Sequence, residues 1–349
     1  MIVSVRDCPS HEQLLRVADD ATGLIGFIAI HSTARGPAAG GLRFKPYPSE
    51  KDAIADVLNL SRGMTYKNAA ADLPLGGGKA VILGDPAQDK TPELLRVFGA
   101  AIESLHGRYW TAEDMGMAPA DMEVLAETTA YVAGRMTGAF ASGDPSPATA
   151  EGVLRAMRVA LGHATGTDAL AGRKVAVQGL GNVGWALAEM LHRAGAHLMV
   201  ADMDPARTEK AKSRWGAGIV ATDKIHAAPA DVFAPCAIGG ILSAQTIPDI
   251  HAKVIAGSAN NQLATPAVGA QLASRGVIYA PDYVINSGGV ILVSTEILQI
   301  ADSASWLAEK FDAMALLLDQ ILTRASKTGQ PTADIADQIV EERALPTAA

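Results

Sequence analysis

Cysteine is nearly missing from this sequence. Cys8 and Cys236 are the only two in 349 residues, far apart and in no CxxC pair, which leaves a disulfide framework and a thiolate metal site unsupported. Aromatic residues are scarce at 5%, and no run of 18 or more apolar residues occurs, so no membrane-spanning helix is predicted. The first residues, Met1 to Asp7, lack the basic-then-apolar pattern of a signal peptide, and the chain is expected to be cytoplasmic. A basic excess is also lacking. With 29 Lys and Arg against 37 Asp and Glu the net charge is −8, which argues against nucleic acid as a partner. Eight histidines fall in no HxxxH-like spacing, so no metal is predicted. What remains is a well-buried α/β composition, 49% hydrophobic, on a chain long enough for two domains.

Glycine clusters carry the positive signal. Gly179-Leu180-Gly181-Asn182-Val183-Gly184 follows an apolar run, Val175 to Val177, and opens a stretch with helical apolar period through Leu191. A second apolar run, His197 to Ala201, ends at Asp202. In a strand, turn, helix, strand unit, the first glycine makes the tight turn, the second admits a pyrophosphate and the third lets helix and strand pack. Asp202 then stands where a carboxylate meets the ribose hydroxyls of adenosine, so NAD is predicted over NADP. The competing reading makes Asp202 a strand end that caps a turn with Asp204 and Pro205.

A strand is expected over Leu24 to His31, and helices over Ser49 to Met64, Pro92 to Leu105 and Thr149 to about Leu161. Short strands follow at Val232 to Ala234, Val254 to Ala256 and Val277 to Tyr279, then one long helical stretch from Val290 to about Lys327. Ser142-Gly143-Asp144-Pro145-Ser146-Pro147 forbids regular structure and marks a hinge. The prediction is therefore an α/β protein of two domains facing one cleft: 1–140 for the substrate and 141–310 as a Rossmann domain, with helices of about 311–349 returning to the first. Only the tail beyond Glu342 reads as loose.

Reactive groups are sought in the first domain. Gly36 to Gly41 reads as a loop suited to gripping a carboxylate through bare N–H groups. Lys67 lies in an otherwise uncharged stretch, and Lys79 ends Leu73-Pro74-Leu75-Gly76-Gly77-Gly78-Lys79. A phosphate-binding Walker loop is excluded, because Ala80 stands where Ser or Thr is required. Either lysine alone is most simply a solvated charge; the pair beside two Gly-rich loops, Gly36 to Gly41 and Gly76 to Gly78, favours a site.

These segments, with Thr111-Ala112-Glu113-Asp114-Met115-Gly116, Asp144 to Thr149, Gly257-Ser258-Ala259-Asn260-Asn261-Gln262 and Ala280 to Gly289, resemble the amino-acid dehydrogenases acting on glutamate, leucine, phenylalanine and valine. The resemblance runs from about residue 24 to 300, in order and across both domains. It implies NAD-dependent oxidative deamination of an L-amino acid to a 2-oxo acid and ammonia, the reverse reaction, and a homo-oligomer assembled through the first domain. It also implies roles. Lys67 with the Gly40 and Gly41 backbone would hold the α-carboxylate, Lys79 would be the catalytic lysine and Asp114 the proton shuttle. Asn261 would lie near the amino group, and Thr149 and Asn286 near the nicotinamide. A lysine serves as a base near neutral pH only where desolvation beside a second cation favours its free amine, which Lys67 and the cofactor ring could provide. The plainer reading of Asp114 is a helix N-cap, and of Asn286 a turn former.

The side chain accepted is argued from Ala39. Glutamate-specific relatives carry a lysine there, and an unpaired buried carboxylate costs several kcal/mol, so glutamate is disfavoured. Ala112, Val290 and Val293 resemble the branched-chain members, which favours leucine. The small Ala39 departs from the leucine pattern, and phenylalanine or tryptophan stays open. A catalytically silent Rossmann protein and an NADP-linked reductase are the readings from other classes.

Overall fold

A computed structural model describes residues 1–344. The chain forms two compact units. One comprises Met1–Asp144 and Val290–Trp306 with the chain from Glu341, and the other Pro145–Gly289 and Leu307–Val340.

The first unit begins with three antiparallel strands, β1 (Ile2–Arg6), β2 (Gln13–Asp19) and β3 (Leu24–Ser32). Then come β4 (Ala38–Ala39), β5 (Leu42–Lys45), α1 (Glu50–Ala70), β6 (Gly76–Leu83), α2 (Pro92–Glu103), β7 (Tyr109–Trp110) and α3 (Pro119–Ala126). One mixed sheet runs β1-β2-β3-β6-β4-β7, with β5 also paired to β6. α1 starts where the Ser49 hydroxyl accepts the Asp52 N–H, with Glu50 and Asp52 set against the helix dipole. α2 starts at Thr91 followed by Pro92.

Alternation along the strands divides the core. Ala80, Ile82, Leu42 and Phe44 join Leu94, Phe98, Met122 and Leu125 of α2 and α3 on one face. Val81, Phe27 and Ala29 pack with Ala53 and Val57 of α1 on the other. The Gly76-Gly77-Gly78 segment, read from sequence as a loop, is the start of buried strand β6. Its glycines exist for packing. A Cβ on Gly77 would stand 2.1 Å from the Thr65 amide nitrogen of α1, and one on Gly78 2.6 Å from the Tyr109 ring.

The second unit follows the order α4 (Ser146–Thr165), β8 (Lys174–Gln178), α5 (Asn182–Arg193), β9 (His197–Ala201), α6 (Pro205–Trp215), β10 (Gly218–Ile219), β11 (Val232–Pro235), β12 (Val254–Ile255), α7 (Ala267–Ser274), β13 (Ile278–Tyr279) and α8 (Asp282–Ile285). Its six strands are all parallel in the order β10-β9-β8-β11-β12-β13, the doubly wound arrangement whose reversal lies between β8 and β11.

The remaining helices are α9 (Gly288–Ile297), α10 (Ser303–Thr328) and α11 (Thr332–Ala344). The expected single helix from Val290 to Lys327 is thus two. Gln299 takes a left-handed backbone (φ 51°), and the Asp302 carboxylate accepts the Ser305 N–H to start α10 afresh. The stretch from Leu307 to Val340 also belongs with the second unit rather than returning to the first. Phe311 and Met314 of α10 pack at Gly152 of α4, and Arg155 and His163 of α4 bond Asp312 and Asp319 at 2.7 and 2.8 Å. The tail expected to be loose beyond Glu342 starts within α11; residues 345–349 lie outside those described. Among the described residues no helix is long and apolar enough to cross a membrane.

Candidate active site

Sheet register gathers the reactive groups of the first unit. Ala39 pairs with Gly77 and Leu42 with Ala80, at one offset, so Gly41 lies beside Lys79 and Arg43 beside Val81. Ala39 likewise pairs with Trp110 and Leu42 with Glu113, which brings Arg43 beside Asp114. Alternate residues share a face. Ala39, Gly41, Arg43, Lys79, Ala112 and Asp114 therefore stand on the α1 side of the sheet with Val81.

The outcome is a carboxylate between two cations. Asp114 Oδ2 lies 2.9 Å from Lys79 Nζ and accepts from Arg43 Nε at 3.0 Å. The Lys79 side chain is only 8% exposed and that of Asp114 25%, so the pair is sheltered yet reachable. Burial pushes the Asp114 carboxyl up, but Lys79 and Arg43 outweigh it and hold it below the ordinary carboxylate range. Burial opposes the Arg43 cation as well. Asp114 and Asp56 overcome that and raise its pKa. A Cβ on Gly41 would stand 2.9 Å from the Asp114 Cβ, so glycine there lets the strand close on the carboxylate.

Lys67 is half-buried in the last turn of α1. Its neighbour Asn68 is fully buried and donates to Gly76 O at 2.5 Å, fastening the end of α1 to β6. The Gly40 N–H donates to Trp110 O at 3.1 Å. That differs from the expected bare N–H at Gly40, because the link between β4 and β5 is held there against β7. Ala39 is buried, Ala112 half-buried, and Val290 and Val293 stand one turn apart and half-buried on α9, in the segment that groups with the first unit.

The second unit holds the other predicted residues. Gly179 turns with φ 90°, and a Cβ on Gly184 would stand 1.9 Å from its carbonyl oxygen, which is the close packing the third glycine permits. Gly181 is the N-cap of α5, and a Cβ there would meet only open space. Asn182 and Val183 form the first turn behind it, where N–H groups have no helical partner. The loop thus fits a dinucleotide pyrophosphate. Asp202 accepts the Leu180 N–H at 2.6 Å and the Asp204 N–H at 2.8 Å, while Asp204 caps α6. Its carboxylate therefore caps the turn to Asp204, as the strand-end reading expected, and also braces the glycine loop. The Asn286 amide donates to Asn260 Oδ1 at 2.8 Å, and Thr149 lies against Gly289, whose Cβ would stand 2.9 Å from the threonine hydroxyl. Asn261 is exposed with a left-handed backbone (φ 52°).

Sequence reasoning missed Arg43 and Asp56. Alternation of apolar and basic residues in Leu42-Arg43-Phe44-Lys45 was the available signal, since it puts Arg43 on the face of Gly41 and Ala39.

Residues 11–131 match the family described as Glu/Leu/Phe/Val dehydrogenase, dimerisation domain, and residues 142–206 and 200–339 that described as Glutamate/Leucine/Phenylalanine/Valine dehydrogenase. Leucine dehydrogenase of Geobacillus stearothermophilus is 47% identical over 333 residues, covering 95% of this chain and 90% of the relative. Phenylalanine dehydrogenase of Caldalkalibacillus thermarum is 44% identical over 338 residues, covering 95% and 91%. The crystal structure of L-tryptophan dehydrogenase from Nostoc punctiforme superposes with a TM-score of 0.84 at 40% identity, covering 96% of each chain.

Proposed function

The chain belongs to the Glu/Leu/Phe/Val dehydrogenase family and is an NAD-dependent amino-acid dehydrogenase, and from that premise we propose that its substrate is an apolar L-amino acid, leucine or another branched-chain one before the rest. The reaction is oxidative deamination to the 2-oxo acid and ammonia, and its reverse. The observation that carries the reading is the Lys79–Asp114 pair at 2.9 Å with buried, apolar Ala39 on the same sheet face.

Loss of hydride from the substrate α-carbon leaves an iminium. Water adds to it, and the carbinolamine collapses with loss of ammonia. When bound, NAD supplies the hydride acceptor, with Gly179, Gly181, Asn182, Val183 and Gly184 at its pyrophosphate, Asp202 at the adenosine ribose, and Thr149 and Asn286 toward the nicotinamide. Lys67 holds the α-carboxylate beside Gly40 and Gly41, and Asn261 orients the amino group. Asp114 exchanges a proton with that amino group, and its hydrogen bond to Lys79 gives the proton a path already formed. Having passed its own proton to Asp114 along that hydrogen bond, Lys79 takes a proton from the attacking water and, protonated again, polarises the developing carbonyl oxygen.

Ala39 offers no cation to a γ-carboxylate, which sets glutamate aside at several kcal/mol. Ala112, Val290 and Val293 complete an apolar surround. The small size of Ala39 favours phenylalanine or tryptophan as the second reading. We also propose a homo-oligomer assembled through the first unit. NADH formation across a panel of L-amino acids tests the substrate: the expected result is leucine and valine ahead of phenylalanine and tryptophan, with glutamate at least about 100-fold below leucine in kcat/KM. Glutamate equal to leucine would overturn it.

A further inference from the structure

Asp114 is held from behind as well as from the substrate side. Arg43 gives its Nε to Asp114 Oδ2 at 3.0 Å and its Nη1 to Asp56 Oδ2 at 3.1 Å. The same Asp56 oxygen accepts the Tyr47 hydroxyl at 2.7 Å and lies 3.7 Å from Lys45 Nζ. The guanidinium is thus stretched between two carboxylates, and its side chain is only 17% exposed. A rigid fork used at both ends fixes an orientation that a lone lysine could not. Asp56 stands on α1 about three helical turns before Lys67 and on the same side of that helix. One rigid helix therefore carries the residue that would hold the substrate carboxylate and the anchor of the group that orients Asp114.

We propose that Arg43, anchored by Asp56, is a positioning residue for Asp114: it keeps the carboxylate aimed at Lys79 Nζ, in register with the α1 end that bears Lys67. This rests on the functional reading above, in which Asp114 moves the proton. Other charged or titratable groups around that carboxylate are Lys79 on β6, Glu113 beside it in sequence, the buried Tyr109 hydroxyl on β7, and Asp56 and Tyr47 beyond Arg43. Among the described residues, Lys79 and Arg43 are the cations seen to bond it. Removing Arg43 leaves Asp114 with one cation in place of two, and its carboxyl shifts upward.

The test measures kcat and KM against pH for full-length Arg43→Gln, Arg43→Lys and Asp56→Asn, with the amino acid the wild type oxidises fastest. Arg43→Gln should lower kcat about 10- to 100-fold, the scale of a misplaced catalytic group, with KM changed less than about threefold. The acid limb of kcat/KM should move up by about one pH unit. Arg43→Lys should recover part of the rate and most of the pH shift, because charge returns without the fork. Asp56→Asn should lower kcat about 3- to 10-fold with KM held, and it carries the test should Arg43→Gln fail to fold. In an Asp114→Asn background, Arg43→Gln should add less than about a twofold loss, since residues acting as a unit are not additive. An unmoved acid limb with kcat within twofold of wild type would overturn the proposal, as would equal losses in both backgrounds, the mark of a merely structural residue. If Lys79→Ala abolishes turnover while Arg43→Gln leaves it intact, only this inference fails. If the wild type oxidises no amino acid, the functional reading fails and this one with it.

Discussion

Replacing Lys79 with alanine separates chemistry from architecture. Its ammonium is sheltered and bonded to Asp114 at 2.9 Å, so truncation removes both a proton carrier and half of the charge around that carboxylate. Loss of a general acid–base group costs about 10²- to 10⁴-fold in rate, and kcat should fall at least about 100-fold, or roughly 2.7 kcal/mol of barrier. Stability should suffer less. Breaking a buried ion pair typically costs about 3–5 kcal/mol, but Arg43 still bonds the same oxygen at 3.0 Å and Asp114 keeps a quarter of its side-chain exposure. A loss of about 1–2 kcal/mol is expected once solvent screening is allowed for, lowering Tm by about 2–8 °C in a unit of this size. NAD affinity should be unchanged, because the glycine loop and Asp202 belong to the second unit. Steady-state rates, thermal melts and NADH titration would report the three quantities separately. Turnover within a few-fold of wild type in the folded variant would refute the role given to Lys79, and lost NADH binding would show that the substitution damaged more than the site.

Enlarging Ala39 to leucine should cut kcat/KM for phenylalanine by about 1–3 kcal/mol through overpacking while sparing leucine and valine; equal losses for all three would remove Ala39 from the side-chain pocket. Asp202→Ala should shift the NAD-to-NADP ratio of kcat/KM toward NADP and weaken NAD binding, since the Leu180 N–H also loses its acceptor; an unchanged ratio would make Asp202 purely a brace. Acid should destabilise the first unit through His31. Burial, then His11 and Arg62, lower its pKa to about 4 against an ordinary 6.5, so between those values the unfolded chain binds more protons and stability falls as pH falls. The urea midpoint should drop from pH 7 to pH 5, and drop less in His31→Gln; identical pH dependence in the two proteins would contradict this.

The nucleotide-binding unit was legible because each step has a sequence mark: apolar runs before Gly179 and Asp202, glycines at fixed offsets, and a helical period behind them. Element order then yields the doubly wound sheet without any long-range guess. The first unit was harder. A strand is recognised by alternating side chains, and Gly76-Gly77-Gly78 has none to alternate, so β6 read as a loop although Thr65 and Tyr109 demand glycine there. Lys79 and Asp114 could be named from their motifs, but the partner that clamps Asp114 could not. Arg43 lies in a four-residue strand, and its place beside Asp114 depends on the register of three strands distant in sequence. The break between α9 and α10 was marked in sequence by the N-cap residue Asp302 alone, since Gln299 carries no turn signal of its own.

The most direct test of the account is the yield of ammonia measured against NADH when L-leucine is oxidised by the wild type and by Asp114→Asn side by side. Oxidative deamination through this site predicts equal amounts of the two products in the wild type, and a variant slower by at least about 100-fold that still binds NADH. NADH formed without ammonia, or Asp114→Asn turning over at the wild-type rate, would contradict it.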